Sequence, residues 1–317
     1  MFRMSLAAAL LAATLGAANA AYPDHPVKII VPYAPGGPAD VTARLVANKL
    51  QERLGQSFLI DNRSGAGGNI GTAAGAQSPA DGYTLTVITP AQIINTTLFA
   101  KPGYELKEFA PIALFNTAPA LLLANPKLGV NSVADIIAAA KAKPGAISFA
   151  SQGTGVAPHL MMERIKKAAG IDMVHVPYRG SAPALNDVIA GNVPLMMDSI
   201  VTGLPHVRSG TLRGIAVSTA KRTPLAPDIP TVAESGIPGF EAGLWYGIVA
   251  PSQTPPDIVT QLGREIVAIL ALPEIRERLV ALGSEPSDFG PEKFAAFIRA
   301  ESDKWGEVVK TSGAKAE

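Results

Sequence analysis

Short apolar runs alternate with helical hydrophobic patterns along most of the chain. Residues 27–33 form a run typical of a buried β-strand, and residues 58–61 and 84–89 form two more. The helix predicted after the first strand ends at Gly55 and has an apolar stripe formed by Ala43, Val46, Ala47, Leu50 and Leu54. Strands that alternate with helices indicate a parallel sheet, in which ligands bind beyond the carboxyl ends of the strands.

A second set of strands and helices follows Pro119. The predicted strands are residues 121–124, 147–150, 173–176, 193–197 and 212–218, and the predicted helices are residues 133–142, 158–169 and 183–190. Two further helical patterns, 256–270 and 291–309, close the chain. Because one small sheet cannot hold so many strands, we predict an α/β fold with two lobes and a cleft between them.

The chain crosses between the two lobes twice in this interpretation. Residues 22–118 and 247–317 form lobe 1, and residues 119–246 form lobe 2. The crossovers lie near residues 115–119 and 244–251, and two such connections allow a hinge. Trp245 and Tyr246, at the second crossover, are either core residues or part of a pocket wall.

Residues 1–20 have the layout of a cleavable secretory signal. Arg3 precedes an apolar run over residues 6–15, and the triplet Ala18-Asn19-Ala20 is typical of a cleavage site. We expect cleavage after Ala20 and a periplasmic location. A membrane anchor is the alternative, but the apolar run is much shorter than the roughly 20 residues that span a bilayer. The sequence contains no Cys, which excludes a lipid-anchored lipoprotein and a disulfide framework.

Charge and composition narrow the function classes. Lys and Arg total 27 against 26 for Asp and Glu, so long-range electrostatics favours neither nucleic acid nor an anionic membrane as a partner. The four histidines lack metal-ligand spacing, and the glycine run 64–71 follows the second strand rather than the first, so neither a metal nor a cofactor is predicted. The chain has no Gly-x-Ser-x-Gly motif, which leaves Ser199 near His206 as a weak indication of a secreted serine hydrolase.

The turn after the first strand predicts an anion site. Gly36 and Gly37 allow a ligand to approach the backbone closely, and Pro38 suits the first position of a helix. The unpaired amides and the positive end of the helix dipole then point at one place, where a carboxylate would lie. Asp40 would be the third helical residue, where its carboxylate can accept amides at the helix start.

Two turns of the second lobe repeat this arrangement. In residues 151–159, Gly153 and Gly155 expose amides and Thr154 can cap the next helix. In residues 176–183, Ser181 is a predicted cap and Arg179 can present its guanidinium to a carboxylate. Asp198 ends a strand, where it either accepts a hydrogen bond from a ligand amine or hydroxyl or caps the next turn.

Seven segments together resemble a known family over essentially the whole chain after residue 21. They are 22–33 (YPDHPVKIIVPY), 35–40 (PGGPAD), 61–71 (DNRSGAGGNIG), 81–85 (DGYTL), 175–180 (HVPYRG), 210–213 (GTLR) and 230–236 (PTVAESG). The chain is similar to the extracytoplasmic solute receptors of tripartite tricarboxylate transporters, also called the Bordetella uptake gene family. The resemblance implies a type II periplasmic binding protein fold and small carboxylic acids as ligands, held through amides of residues 33–40, 152–155 and 178–180.

The predicted function is capture of a small carboxylate by a monomer that closes around it and delivers it to membrane permease subunits without performing a reaction. An adaptor for a membrane sensor kinase is the alternative that shares the pocket. The distal end of the ligand is expected to contact residues 89–92, and His159 either contacts the ligand or packs against its own loop. The predicted ligand-binding residues are Tyr33, Pro35, Gly36, Gly37, Asp40, Pro90, Gln92, Gln152, Gly153, Thr154, Gly155, His159, Tyr178, Arg179, Gly180 and Asp198.

Overall fold

The protein is built on two separate sheets, as the sequence predicts. The computed structural model describes residues 22–312 and 314, so the predicted signal segment lies outside the described residues. The strands are β1 Val27–Val31, β2 Phe58–Asn62, β3 Thr84–Ile88, β4 Phe109–Ala118, β5 Ala120–Ala124, β6 Ser148–Ser151, β7 Val174–Pro177, β8 Leu195–Ser199, β9 Arg213–Val217, β10 Leu244–Pro251 and β11 Glu285–Pro286. The six-stranded sheet of lobe 1 has the order β11-β4-β10-β3-β1-β2, and the five-stranded sheet of lobe 2 has the order β7-β6-β8-β5-β9.

Helices cover the sheets and connect most strands. They are α1 Pro38–Leu54, α2 Asn69–Ala76, α3 Pro90–Leu98, α4 Val133–Ala142, α5 Ala157–Ala169, α6 Ser181–Ala190, α7 Ile200–Arg208, α8 Pro256–Leu270, α9 Pro273–Ala281 and α10 Pro291–Ser312. The bounds of α4 and α8 agree with the sequence prediction residue for residue. The apolar stripe predicted for α1 is confirmed, because four of its five members are buried, and Gly55 ends that helix in the left-handed region at φ 71°.

The sequence prediction missed three helices, α3, α7 and α9. The periodic signal of each helix is weak. Helix α3 is only nine residues long, α7 contains Pro205 in its interior, and α9 begins only three residues after α8 ends. A proline inside a helix and a length below three turns both weaken the periodic signal.

The segments predicted as crossovers consist largely of two paired strands. Residues 115–118 and 244–251 belong to β4 and β10, which pair antiparallel inside the six-stranded sheet of lobe 1. The chain leaves this sheet at Pro119, between β4 and β5, and returns to it at Leu244. All eight residues of β10 are buried, so the strand shows no alternation of apolar and polar residues that would reveal it.

The β1–β2 and β1–β3 pairs are parallel, as are the β6–β7 and β6–β8 pairs. The carboxyl ends of the parallel strands in both sheets therefore lead into the turns that begin α1, α3, α5 and α6. The C-terminal helix α10 packs against α3 of lobe 1 and also against α5 of lobe 2. No helix among residues 22–312 is both long enough and apolar enough to cross a membrane.

Candidate functional site

A cavity lies where the two lobes face each other. Both lobes contribute to its wall, and strand β10 of the lobe 1 sheet forms part of it. The turn at Gly37 and the turn at Gln152 therefore line the same cavity. The lining residues are Tyr33, Gly37, Pro38, Ala39, Thr89, Pro90, Gln152, Val156, Ala157, Pro158, Ser181, Leu244, Trp245 and Tyr246. Trp245 and Tyr246 are buried and form part of the wall, which combines the two interpretations that the sequence left open.

Four helices begin at the cavity. At least one residue that precedes or opens each of α1, α3, α5 and α6 lines it. The first amides of a helix have no partner within the helix, and its N-terminal end carries a partial positive charge. No lining residue carries a charged side chain. The positive groups that this wall offers to an anion are therefore backbone dipoles rather than a lysine or arginine.

Asp40 holds the turn that opens α1. Its Oδ2 accepts hydrogen bonds from the amide of Gly36 and from Nε of Arg44, each 2.9 Å long, and its Oδ1 accepts one of 2.9 Å from Nδ2 of Asn62. Burial alone would raise the pKa of Asp40, but these hydrogen bonds outweigh it and hold the pKa below its usual value. Asp40 is absent from the cavity wall, and its carboxylate has the structural role predicted from its position in the first turn of α1.

Thr89 and Gln92 shape the start of α3. The hydroxyl of Thr89 accepts from the amide of Ala91, and Oε1 of Gln92 accepts from the amide of Thr89 at 2.7 Å. Oη of Tyr33 lies 3.0 Å from Oγ1 of Thr89, which links this cap to the turn after β1. Of the predicted residues 89–92, Thr89 and Pro90 reach the cavity, whereas Gln92 is buried behind them.

Asp198 is fully buried at the end of β8 and joins three segments of lobe 2. Its carboxylate accepts from Nε2 of Gln152 at 2.6 Å, from Oγ of Ser181 at 2.7 Å and from Oγ1 of Thr202 at 2.7 Å. Burial raises the pKa of Asp198, although these donors act in the opposite direction. Asp198 does not line the cavity, and it positions Gln152 and Ser181, which do.

His159 lies behind the turn that opens α5. Its Nδ1 accepts from the amide of Gly155 at 3.3 Å, and its ring stacks on that of His175 with centroids 3.9 Å apart. Nε2 of His175 is 2.6 Å from Oγ of Ser151. Burial is the main cause that lowers the pKa of His159 to about 3 and that of His175 to about 4, and neighbouring positive charge acts in the same direction. His159 thus packs against its own loop, the alternative role given to it from sequence.

Several other predicted residues contact the opposite lobe instead of lining the cavity. The amide of Ala34 in lobe 1 donates to the carbonyl of Arg179 in lobe 2 at 3.1 Å, while the Arg179 side chain is exposed. Gly180 approaches Ala34 so closely that an added Cβ would lie 2.9 Å from its amide nitrogen. Pro35 and Gly36 are exposed on this rim, and the hydroxyl of Tyr178 donates to Asp187.

Glycines form a second rim where the two lobes touch. Gly67 of lobe 1 approaches Gly153 and Thr154 of lobe 2, and Gly155 approaches the side chain of Asn95. A Cβ built on Gly153 would lie 3.0 Å from Cα of Gly67, which is tighter than most Cβ contacts in proteins. The two lobes therefore touch at two places, Ala34 with Arg179 and Gly67 with Thr154.

Two predicted helix caps are wrong. Val156 rather than Thr154 precedes α5 and provides no side-chain cap, and Gly180 precedes α6, so Ser181 is its first residue. The hydroxyl of Ser181 donates to Asp198 instead. Ser199 caps α7 by accepting from the amide of Val201.

Tyr33, Gly37, Pro90 and Gln152 are the predicted ligand-binding residues that line the cavity. The prediction did not place Ala157, Ser181 or Leu244 in the wall. The missed helix α3 had a usable signal, since Thr89-Pro90-Ala91-Gln92 has the spacing of a capping box. The apolar lining residues offered no such signal, because core alanines and valines have the same pattern.

The chain was compared with known proteins. A family model described as "Tripartite tricarboxylate transporter family receptor" matches residues 42–314. Protein BugT of Bordetella pertussis is 38% identical over 297 residues, which cover 93% of this chain and 91% of that protein.

Solved structures are similar over the same length. The periplasmic binding protein BugD is 35% identical with a TM-score of 0.90, covering 93% of this chain and 100% of that chain. An R. palustris protein solved with adipate is 38% identical with a TM-score of 0.90, covering 93% and 99%. MatC from Rhodopseudomonas palustris with bound malate is 32% identical with a TM-score of 0.87, covering 91% and 100%. The predicted two-lobed fold is thus confirmed, and the chain belongs to the family of tripartite tricarboxylate transporter receptors, which are periplasmic solute-binding proteins and not enzymes.

Proposed function

We propose that this protein binds a small carboxylate in the cavity between its lobes and delivers it to the permease subunits of a tripartite tricarboxylate-type transporter. The observation that carries the proposal is the meeting of four helix N-termini at a cavity without a charged side chain. Adipate and malate in the solved relatives are both small carboxylates, which supports this ligand class. The first 20 residues support export to the periplasm, with cleavage after Ala20.

The strength of such binding is within reach of backbone donors alone. A hydrogen bond to a charged group contributes roughly 1.5–3 kcal/mol, and a micromolar dissociation constant corresponds to about −8 kcal/mol. Four to six such bonds, together with the surface buried when the lobes close, exceed the cost of association. A cation in the wall is therefore not required.

A substitution at Ala157 tests the electrostatic part of the proposal. Ala157 is the first residue of α5 and lines the cavity, so an aspartate there would place a carboxylate where the ligand's carboxylate is expected. Aspartate is also favourable in the first turn of a helix, so folding should be maintained. Calorimetry with adipate, malate and a panel of monocarboxylates should show at least one ligand for the wild type and at least a 100-fold loss of its affinity in Ala157→Asp.

The matched control is Ala157→Asn, which adds nearly the same volume without the charge. We expect this variant to bind at least tenfold more tightly than Ala157→Asp. Equal losses in the two variants would show that the cavity does not select for negative charge. Transfer to permease subunits is tested separately, by copurification of the loaded protein with them; copurification with a sensor kinase instead would favour the signalling alternative.

A further inference from the structure

Gln152 presents an unused acceptor at the cavity. Its side chain lines the cavity and is only 9% exposed. Nε2 donates to Asp198, but Oε1 is buried and has no hydrogen-bond partner within residues 22–312. Burying a carbonyl oxygen without a hydrogen-bond donor costs free energy. We therefore expect the donor to this atom to come from a bound ligand.

The orientation of the Gln152 amide is fixed by Asp198. The Asp198 carboxyl group accepts from Nε2 of Gln152, and Ser181 and Thr202 direct hydroxyl donors at the same group. Rotating the amide by half a turn would bring Oε1 against a carboxylate oxygen. Gln152 therefore offers the cavity an acceptor and not a donor.

Three hydroxyls that line the cavity together with Gln152 are already engaged. Ser181 donates to Asp198, and the hydroxyls of Tyr33 and Thr89 bond to each other on the lobe 1 side. A carboxylate oxygen of a ligand would be repelled by Oε1, because both are acceptors. The atom that fills this position must carry a hydrogen.

We propose that Gln152 makes this receptor select carboxylates that also carry a hydrogen-bond donor, a hydroxyl or an ammonium group, close to the carboxylate. The proposal rests on the proposed function and narrows its ligand class. It assigns to Gln152 the acceptor role that the sequence suggested for Asp198, whose own oxygens are occupied. A ligand without the donor leaves Oε1 desolvated and unpaired, which lowers its affinity.

The test compares ligands that differ by one group on the carbon next to the carboxylate. Calorimetry is performed with lactate, alanine and propionate, and with malate and succinate. For the wild type we expect at least one donor-bearing acid to bind tenfold or more tightly than its deoxy or deamino counterpart. Lactate against alanine then distinguishes a hydroxyl from an ammonium donor.

Two variants separate the acceptor from the general stability of the site. Gln152→Met has a side chain of similar length without the amide. The ratio of its affinities for the donor-bearing acid and the matched acid without the donor should therefore fall below about two. Thr202→Val also removes one donor from Asp198 but keeps the Gln152 acceptor, so it should retain the preference of the wild type. Circular dichroism verifies that both variants are folded.

The proposal is overturned if the wild type binds the paired acids equally, or if Gln152→Met keeps the full preference. If Gln152→Met does not fold, the ratios measured on the wild type decide alone. If no carboxylate binds at all, the proposed function fails and this proposal fails with it. Carboxylate binding without a preference contradicts only the role of Gln152.

Discussion

Two buried carboxylates lie beside the cavity for which we propose an anionic ligand. Asp40 and Asp198 are each in contact with three donor groups, and neither lines the cavity. Those donors compensate the negative charges and use the carboxylate oxygens to fix the surrounding turns. An acidic residue near a predicted anion site can thus be a structural requirement of that site. Sequence reasoning identified this role for Asp40 and left it open for Asp198.

Replacing Asp40 tests its role in shaping the turn. Asp40→Asn keeps the size of the side chain but removes the charge that holds Arg44, and an amide can accept only through one oxygen. We expect the free energy of unfolding to fall by about 1–3 kcal/mol in urea denaturation. In Asp61→Asn, a control that breaks the surface pair with Arg63, the loss should stay below about 1 kcal/mol. Equal losses would show that the Asp40 network adds nothing to an ordinary surface pair.

The stacked histidines make stability depend on acid pH. His159 has a pKa of about 3 in the folded protein against 6.5 as its ordinary value, so the unfolded chain binds the extra proton first. Stability from this group is fully present above pH 6.5 and is lost as the pH falls from there towards 3. At 1.36 kcal/mol per pH unit, the loss between pH 7 and pH 4 is roughly 3 kcal/mol.

The variant His159→Asn isolates this effect, because its Oδ1 can still accept from the amide of Gly155 but does not titrate in this range. Urea denaturation from pH 7 to pH 4 should show a smaller decrease in stability for the variant than for the wild type. Parallel pH profiles of the two proteins would contradict the assignment. Carboxylates that titrate below pH 5 affect both proteins equally and cancel in the difference.

At the scale of secondary-structure elements, the four helix N-termini were predictable to different degrees. The start of α1 follows from local residues, since Gly37 and Pro38 favour a helix start in any context. The starts of α5 and α6 have no side-chain cap, so their positions depend on packing between β-strands and helices that a single sequence does not reveal. The aspartate that positions both turns, Asp198, is 46 residues from Gln152 and 17 from Ser181.

One acidic residue of the C-terminal helix α10, Glu301, is hydrogen-bonded to the cavity wall. Oε2 of Glu301 accepts from the indole nitrogens of Trp245 and Trp305, each at 2.8 Å, and Oε1 pairs with Lys304. Trp245 is also part of the cavity wall, so Glu301 connects α10 to strand β10 at the ligand site. These are the two tryptophans of the chain, so their fluorescence reports on this contact.

Removing the Glu301 acceptor should loosen this attachment. Glu301→Ala leaves two buried indole donors without partners, and we expect a loss of about 2–4 kcal/mol in the free energy of unfolding. The tryptophan emission should shift to longer wavelength as water reaches the indoles. Glu301→Gln, which keeps an oxygen for the two indoles, should lose less than half as much. A variant Glu301→Ala with unchanged emission would contradict the described contact.

At the scale of the whole molecule, the sequence predicted the architecture better than the connections. The two lobes, the parallel strands and most helices follow from local apolar patterns. The strands β4 and β10 did not, because the segments 115–119 and 244–251 were interpreted as connections between the lobes. The predicted domain boundaries at residues 118 and 246 remain a prediction. The cavity wall could not be predicted in full, because it brings together residues as distant in sequence as Tyr33 and Tyr246.

The glycines at the cavity rim leave no room for a larger residue when the two lobes are in contact. Closure of the lobes therefore requires a small residue at these positions more than it requires a contact with the ligand. Gly67 has φ 63° and would clash with the carbonyl of Thr154 in the other lobe if it carried a Cβ. Gly170, at the end of α5, has nearly the same φ of 61° but no atom within 4 Å of such a Cβ. The two positions therefore have the same backbone strain for alanine and differ in the contact between lobes.

This pair allows closure to be tested apart from folding. Gly67→Ala and Gly170→Ala should lose similar stability, because an alanine at positive φ is strained in both. Only Gly67→Ala should hold the lobes apart, which we expect to weaken ligand binding at least tenfold and to reduce the compaction that small-angle scattering detects when ligand is added. The cavity residues are intact in both variants, so the difference between them measures closure itself. If Gly67→Ala binds and compacts like Gly170→Ala, the contact between Gly67 and Thr154 is not part of the ligand-bound state, and the closed rim has no share in the affinity.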